Sequence, residues 1–153
     1  MQAAPLVRPA GPRDAEQITA LVMQAYASYI PRIGKQPGPM LEDYSDLIAN
    51  AEVFVIDRDA DILGVLVLNR DNQVLHLDNI AVLPRCKGQG LGKALMAFSE
   101  DFARRNGCNS IQLYTHQRMT ENVELYKKLG YVETHRATEN GFARVFLRKS
   151  LQM

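Results

Sequence analysis

Val82-Leu83-Pro84-Arg85-Cys86-Lys87-Gly88-Gln89-Gly90-Leu91-Gly92-Lys93-Ala94-Leu95-Met96 runs from an apolar strand end through a loop with glycine at every second position into the start of a helix. Glycine lets the main chain approach an anion closely, and the first helical turn aims unpaired N–H groups and the positive end of its dipole at it. The stretch reads as a backbone cradle for a phosphate-bearing ligand, with Lys87 and Lys93 adding positive charge. Spacing excludes two other nucleotide loops. A Walker loop needs glycine where Lys87 stands and serine or threonine where Ala94 stands; a dinucleotide fingerprint from Gly88 needs glycine at Lys93 and an early parallel βαβ unit.

Working upstream, residues 52–57, 62–69 and 73–82 are β runs joined by Arg58-Asp59-Ala60-Asp61 and Arg70-Asp71-Asn72, an antiparallel meander that feeds the glycine loop. Before them, a strand over 5–8 and the turn Gly11-Pro12-Arg13-Asp14 lead to a helix with Ile18, Leu21, Val22, Ala25, Tyr26 and Tyr29 at helical spacing. Pro31 is expected to end that helix, 32–39 to form a rigid irregular loop, and 40–49 a second helix.

Downstream, the helix over 91–105 carries Leu91, Ala94, Leu95, Phe98 and Phe102 on one stripe and stops at Asn106-Gly107. The strand over 110–116 then pairs in parallel, because a strand, crossover helix, strand order gives that pairing. A helix over 120–129, stopped by Gly130, and a hairpin of 131–136 with 142–149 across Glu139-Asn140-Gly141 follow. The expected class is α/β (α+β): a mixed, mostly antiparallel sheet of about seven strands with about four helices on its faces, parallel only beside the glycine loop.

The chain has 153 residues, 46% of them hydrophobic, which suits a single domain over 1–153. A formal net charge of +1 gives no basic footprint for nucleic acid. Only Cys86 and Cys108 are present, which points to reduced thiols inside a cell, with Cys86 exposed in its loop. Met1-Gln2-Ala3-Ala4-Pro5-Leu6 lacks an apolar signal core and no apolar run spans a bilayer, so a cytoplasmic location without membrane contact is expected. His76, His116, Asp78 and the cysteines have no metal-ligand spacing, and no G-x-S-x-G elbow occurs.

Two motifs carry a resemblance that covers nearly the whole chain. Ala81-Val82-Leu83-Pro84 followed by Lys87-Gly88-Gln89-Gly90-Leu91-Gly92, and Leu125-Tyr126-Lys127-Lys128-Leu129-Gly130-Tyr131, are similar to the strand end with Q/R-x-x-G-x-G/A and the L-Y-x-x-x-G-F/Y signature of the GNAT superfamily of acyl-CoA-dependent N-acyltransferases. Lys87 replaces the customary Gln or Arg. The resemblance implies acetyl-CoA as co-substrate, its pyrophosphate on Lys87, Gly88, Gln89, Gly90, Leu91, Gly92 and Lys93, and its pantetheine arm along the backbone of Ile80, Ala81 and Val82. It also implies Tyr126 as proton donor to the departing thiolate, a role suited to a phenol of pKa about 10. Where the family often has an asparagine this chain has Met119; Asn122, in the same segment but another register, is the cofactor-binding candidate.

The expected reaction is direct acetyl transfer to a primary amine of a small molecule, with a protein lysine or N-terminus as alternative acceptor. An acyl-CoA-binding regulatory module without catalysis is the reading from another class. His76 lies where some family members place a glutamate base, alternation puts Asp78 on its face, and Tyr114 and His116 stand behind it as alternatives. Tyr26, Tyr29, Arg32 and Tyr44, with Lys35 and Met40, come from the segments that form the acceptor wall in the family. A homodimer is left open.

Overall fold

The structure is a computed structural model that describes residues 5–151; residues 1–4, part of the stretch read as lacking a signal core, lie outside it. Strands β1 (Val7–Pro9), β2 (Glu52–Arg58), β3 (Asp61–Asp71), β4 (Val74–Val82), β5 (Ser110–His116), β6 (Val132–Glu139) and β7 (Phe142–Ser150) form one sheet in the order β1-β2-β3-β4-β5-β7-β6. Every neighbouring pair is antiparallel except β4 with β5. The β6–β7 hairpin turns through Asn140 and Gly141 at φ 52° and 79°, left-handed values that match the twist of the flanking strands.

The decisive irregularity is in β4. Leu68 of β3 pairs with Leu77, but Val67 pairs with Asn79, so Asp78 is the extra residue of a β-bulge. The parallel pairing of β4 with β5 runs from Val74↔Ser110 to Leu77↔Leu113 and stops there. Beyond the bulge the two strands part, and among the described residues no strand lies against the β5 side of Asn79 to Val82.

Helices α1 (Ala15–Tyr26), α2 (Ile30–Ile33), α3 (Tyr44–Asn50), α4 (Leu91–Arg105) and α5 (Thr120–Lys128) flank the sheet. Alternation gives Phe54 and Leu66 to the face under α4, where Phe98 and Phe102 lie 4.7 and 5.5 Å from the Phe54 ring. Asn79 belongs to the opposite face, where Tyr26 of α1 reaches it. Ile18, Leu66, Leu75, Leu95, Ile111 and Leu147 are fully buried between these layers. At the start of α1 the buried Asp14 accepts from Arg8 Nη1 and Nη2 at 2.9 and 3.1 Å and from the Gly11 N–H at 2.8 Å, tying β1 to the helix.

Among the boundaries that differ from expectation, two reshape the helices before β2. Pro31 does not end a helix: α1 passes through a 3-10 turn at Ala27–Tyr29, and Pro31 sits in the first turn of α2, where no N–H is required. Gly34, at φ 90°, ends α2 instead. The helix expected over 40–49 is split into a 3-10 turn at Gly38–Leu41 and α3, because the Asp43 carboxylate accepts from the N–H groups of Ser45 and Asp46 and fixes a later start.

Candidate active site

The parting of β4 and β5 opens a cleft of about 590 Å³. Its walls come from α1 and the 37–39 loop on one side, β4 and the glycine loop along its length, and β5, α5 and β7 on the other.

At one end lies the cradle. Gly88 and Gly90 have φ of 83° and 82°, and a Cβ on either would meet nothing within 4 Å, so the room beside the backbone is open. Gly90 is the N-cap of α4 and supplies no side-chain cap; the first helical bond runs from the Ala94 N–H to the Gly90 carbonyl at 3.0 Å. The N–H groups of Leu91, Gly92 and Lys93 are therefore left for a ligand, with no acidic residue in the first turn to oppose an anion. The bare edge of Ile80, Ala81 and Val82 continues the line from this cradle into the cleft. Open space, free donors and an unpaired strand edge fit an extended ligand with a pyrophosphate at one end. Lys87 and Lys93 line the same end, whereas Gln89 is exposed and does not. Cys86, expected to be exposed, is buried in the 3-10 turn at Pro84–Cys86.

Tyr126, on α5, is 8% exposed and lines the cleft midway. Its ring packs edge-on against Tyr131 at 5.8 Å, and its hydroxyl has no hydrogen-bond partner among the described residues. Burial pushes the phenol up to about 12, so it holds its proton at neutral pH. Asn122, one turn earlier on α5, lines the cleft too.

Asp78, Tyr114 and His116 also line it, but His76 does not. His76 lies where β4 is still paired with β5, in register with Gln112, and its Nε2 is 3.8 Å from Asp71. The strands part only after it, which is why the bulge residue Asp78 reaches the cleft and His76 stays outside. Asp78 accepts from the Asn69 side-chain amide. The walls around its carboxyl raise it above the usual range, against the pull of Asn69 and His76.

Burial lowers His116, helped by the charges of Arg118, Lys35 and Arg144. Its Nδ1 accepts from the Arg118 backbone N–H at 3.1 Å, so the neutral ring carries its proton on Nε2 and offers a donor rather than a base.

The acceptor-wall residues divide. Tyr26 and Tyr29 line the cleft; Arg32 and Tyr44 do not. Arg32 grips both carboxylate oxygens of Glu121 at 2.7 and 3.0 Å and donates to the Arg118 carbonyl at 2.6 Å, latching α2 to α5. The buried Tyr44 hydroxyl donates to the Pro39 carbonyl at 2.7 Å and accepts from Asn79 Nδ2 at 3.0 Å. Lys35 donates to the Gly141 carbonyl at 2.7 Å, with Nζ 4.2 Å above the Phe142 ring.

Among the cleft residues without a role in the sequence pattern are Asn79 and Arg144. Asn79 had a visible signal, an amide just ahead of the apolar run Ile80-Ala81-Val82 in β4. Arg144 had none, because in the final hairpin it is patterned like its neighbours Arg136 and Arg148.

The sequence profile of the Acetyltransferase (GNAT) family matches residues 18–131. Streptothricin acetyltransferase of Streptomyces lavendulae is 29% identical over 86 residues, 54% of this chain and 46% of that protein. Aminoalkylphosphonate N-acetyltransferase of Salmonella typhimurium is 26% identical over 84 residues, 51% of this chain and 54% of that protein. The matched stretches thus span about half the length of these curated relatives. Among solved structures, the paia N-acetyltransferase of Thermoplasma acidophilum in complex with coenzyme A superposes with a TM-score of 0.79 at 15% identity, over 97% of this chain and 99% of that one, a likeness of fold.

Proposed function

This chain belongs to the Acetyltransferase (GNAT) family, and from that premise we propose that it moves an acetyl group from acetyl-CoA to a primary amine of a small molecule by direct attack within a ternary complex. The observation that carries the reading is the meeting, in one cleft, of an open anion cradle, an unpaired strand edge and the unpartnered Tyr126 hydroxyl. The names of the curated relatives, which include streptothricin and aminoalkylphosphonate acetyltransferases, support a small-molecule acceptor.

When bound, acetyl-CoA supplies the thioester whose C–S bond breaks as the amine nitrogen bonds to the carbonyl carbon. The loop from Lys87 to Lys93 holds the pyrophosphate through backbone N–H groups, with the two lysines adding charge. Along the edge formed by Ile80, Ala81 and Val82, the main-chain groups of Ile80 and Val82 turn away from β3 toward the pantetheine arm, the Ile80 carbonyl also accepting from Tyr26, and Asn122 offers its amide. Asp78 takes the proton that the amine must lose, its raised pKa making it a stronger base than an ordinary carboxylate. Tyr126 gives its proton to the departing sulfur and recovers one from solvent.

Thiol release from acetyl-CoA, measured across a panel of small amines and of peptides, tests the reading. Turnover with a small amine is expected; coenzyme A binding without turnover of any acceptor would contradict it.

A further inference from the structure

Arg144 enters the cleft from β7 with its side chain only 14% exposed. Its guanidinium lies 4.2 Å above the Tyr114 ring and 5.7 Å from that of Phe142, so the charge sits against two aromatic rings. Nη1 donates to Glu139 Oε1 at 2.8 Å; no hydrogen-bond acceptor meets its remaining N–H groups among the described residues. A Cβ on Gly38 would stand 3.7 Å from Nη2, which places that edge of the fork beside the 37–39 loop at the cleft wall. Those N–H groups face the open cleft, where a ligand can take the place of water on them.

The surroundings give the sign of a ligand that would suit this edge. Lys35 and Arg144 both act on His116, so positive charge gathers at this end. Glu139 is 49% exposed and occupies only one arm of the fork. Asp78 lines the same cleft as Arg144 and the Tyr114 ring beneath it, so the cleft wall carries both a cation and an anion.

Resting on the acetyl-transfer reading above, we propose that Arg144 anchors an oxyanion on the acceptor, which makes the substrate class primary amines that carry a carboxylate, phosphate or phosphonate group. The amine end lies toward Asp78 and the oxyanion toward the free Nε and Nη2 edge of Arg144. A planar fork pairs with such groups through two parallel hydrogen bonds, which is why its orientation on Tyr114 matters. Glu139 competes for the same cation, and its removal strengthens the anchor.

The test separates the anchor from the reaction. Calorimetry on the coenzyme A complex, with propionate, propylphosphonate and propanol as probes, reads the anchor without any turnover. At least one of the two anions is expected to bind wild type and to bind Arg144→Gln at least tenfold more weakly, propanol is expected to show no binding, and Glu139→Gln is expected to bind the anion more tightly. The opposite direction of the two variants guards against a general loss of fold. Equal affinity of the anion for wild type and Arg144→Gln, or no anion binding by wild type, would overturn the anchor. Kinetics with 3-aminopropionate, 3-aminopropylphosphonate and 3-aminopropanol then read its use: the preferred anionic acceptor is expected to lose its advantage in Arg144→Gln through KM. The carboxylate and phosphonate arms distinguish a planar from a tetrahedral oxyanion. Anion binding without thiol release from any amine would contradict acetyl transfer while leaving the anchor standing.

Discussion

Tyr26 donates its hydroxyl to the side-chain oxygen of Asn79 at 2.7 Å, across 53 positions of sequence. Asn79 in turn donates to Tyr44, which donates to the Pro39 carbonyl, so a buried chain of hydrogen bonds ties the bulge of β4 to the 37–39 loop across the cleft. Bulge and acceptor wall are thereby held as one unit. Replacing Asn79 with Leu takes one hydrogen bond from each tyrosine hydroxyl, leaving Tyr26 the Ile80 carbonyl at 3.2 Å and Tyr44 the Pro39 carbonyl, and is expected to cost about 1–3 kcal/mol in denaturant unfolding, the sum of two such bonds. Acceptor KM should rise while coenzyme A affinity stays close to that of wild type; a variant as stable as wild type would remove the chain's assigned role.

Asp78 makes opposite predictions for stability and turnover. Its folded pKa is raised, so its contribution to stability is fully present below the unfolded carboxylate value of about 3.9 and is lost as pH rises through the folded value. At neutral pH the ionised carboxyl therefore weighs against the fold. Asp78→Asn is expected to raise Tm near neutrality, with the gain vanishing in acid, while kcat falls about 100-fold. In wild type the acid limb of kcat/KM should lie above the ordinary carboxylate range. Normal turnover by the variant would take the base away from Asp78.

Asp14 has the reverse sign. The hydrogen bonds from Arg8 lower its carboxyl, outweighing the burial that opposes them. Its contribution is present above the unfolded carboxylate pKa and lost as pH falls through the folded one. Asp14→Ala is expected to cost about 1–2 kcal/mol near neutrality, since the Gly11 N–H loses its acceptor while Arg8, 40% exposed, keeps Asp57, and less in acid. Chemical denaturation of both proteins at the two pH values checks this, and a cost independent of pH would assign the effect to packing.

At Gly90, the φ of 82° and the vacant volume beside it point to separate penalties. Gly90→Val is expected to lose about 1–3 kcal/mol from backbone strain and to weaken coenzyme A binding at least tenfold by filling the approach to the helix N-terminus. Calorimetry on the folded variant measures the second effect alone. Unchanged affinity would move the pyrophosphate elsewhere.

The legible parts of the sequence were those with local signals. Alternating glycines, the stripe of α4 and the Asn140-Gly141 turn each encode their conformation within a few residues, whereas the place of β7 between β5 and β6 is set by long-range pairing and left no local signal. The Asp78 bulge was not legible, because strict alternation is what a sequence pattern assumes and only pairing with β3 reveals the extra residue. That single residue moved the candidate base from His76, which stays where the strands are paired, to Asp78 at their parting. Arg32 offered a similar ambiguity, since its commitment to Glu121 spans 89 positions and leaves no trace near either residue.

The most direct measurement is steady-state turnover of Tyr126→Phe, with coenzyme A affinity determined on the same protein. The ring would still pack against Tyr131, and only the proton at the cleft would be gone. A kcat lowered about 100-fold or more, with the dissociation constant for coenzyme A little changed, is the predicted result. Near-normal turnover in the folded variant would contradict the proton-donor role on which the proposed chemistry rests.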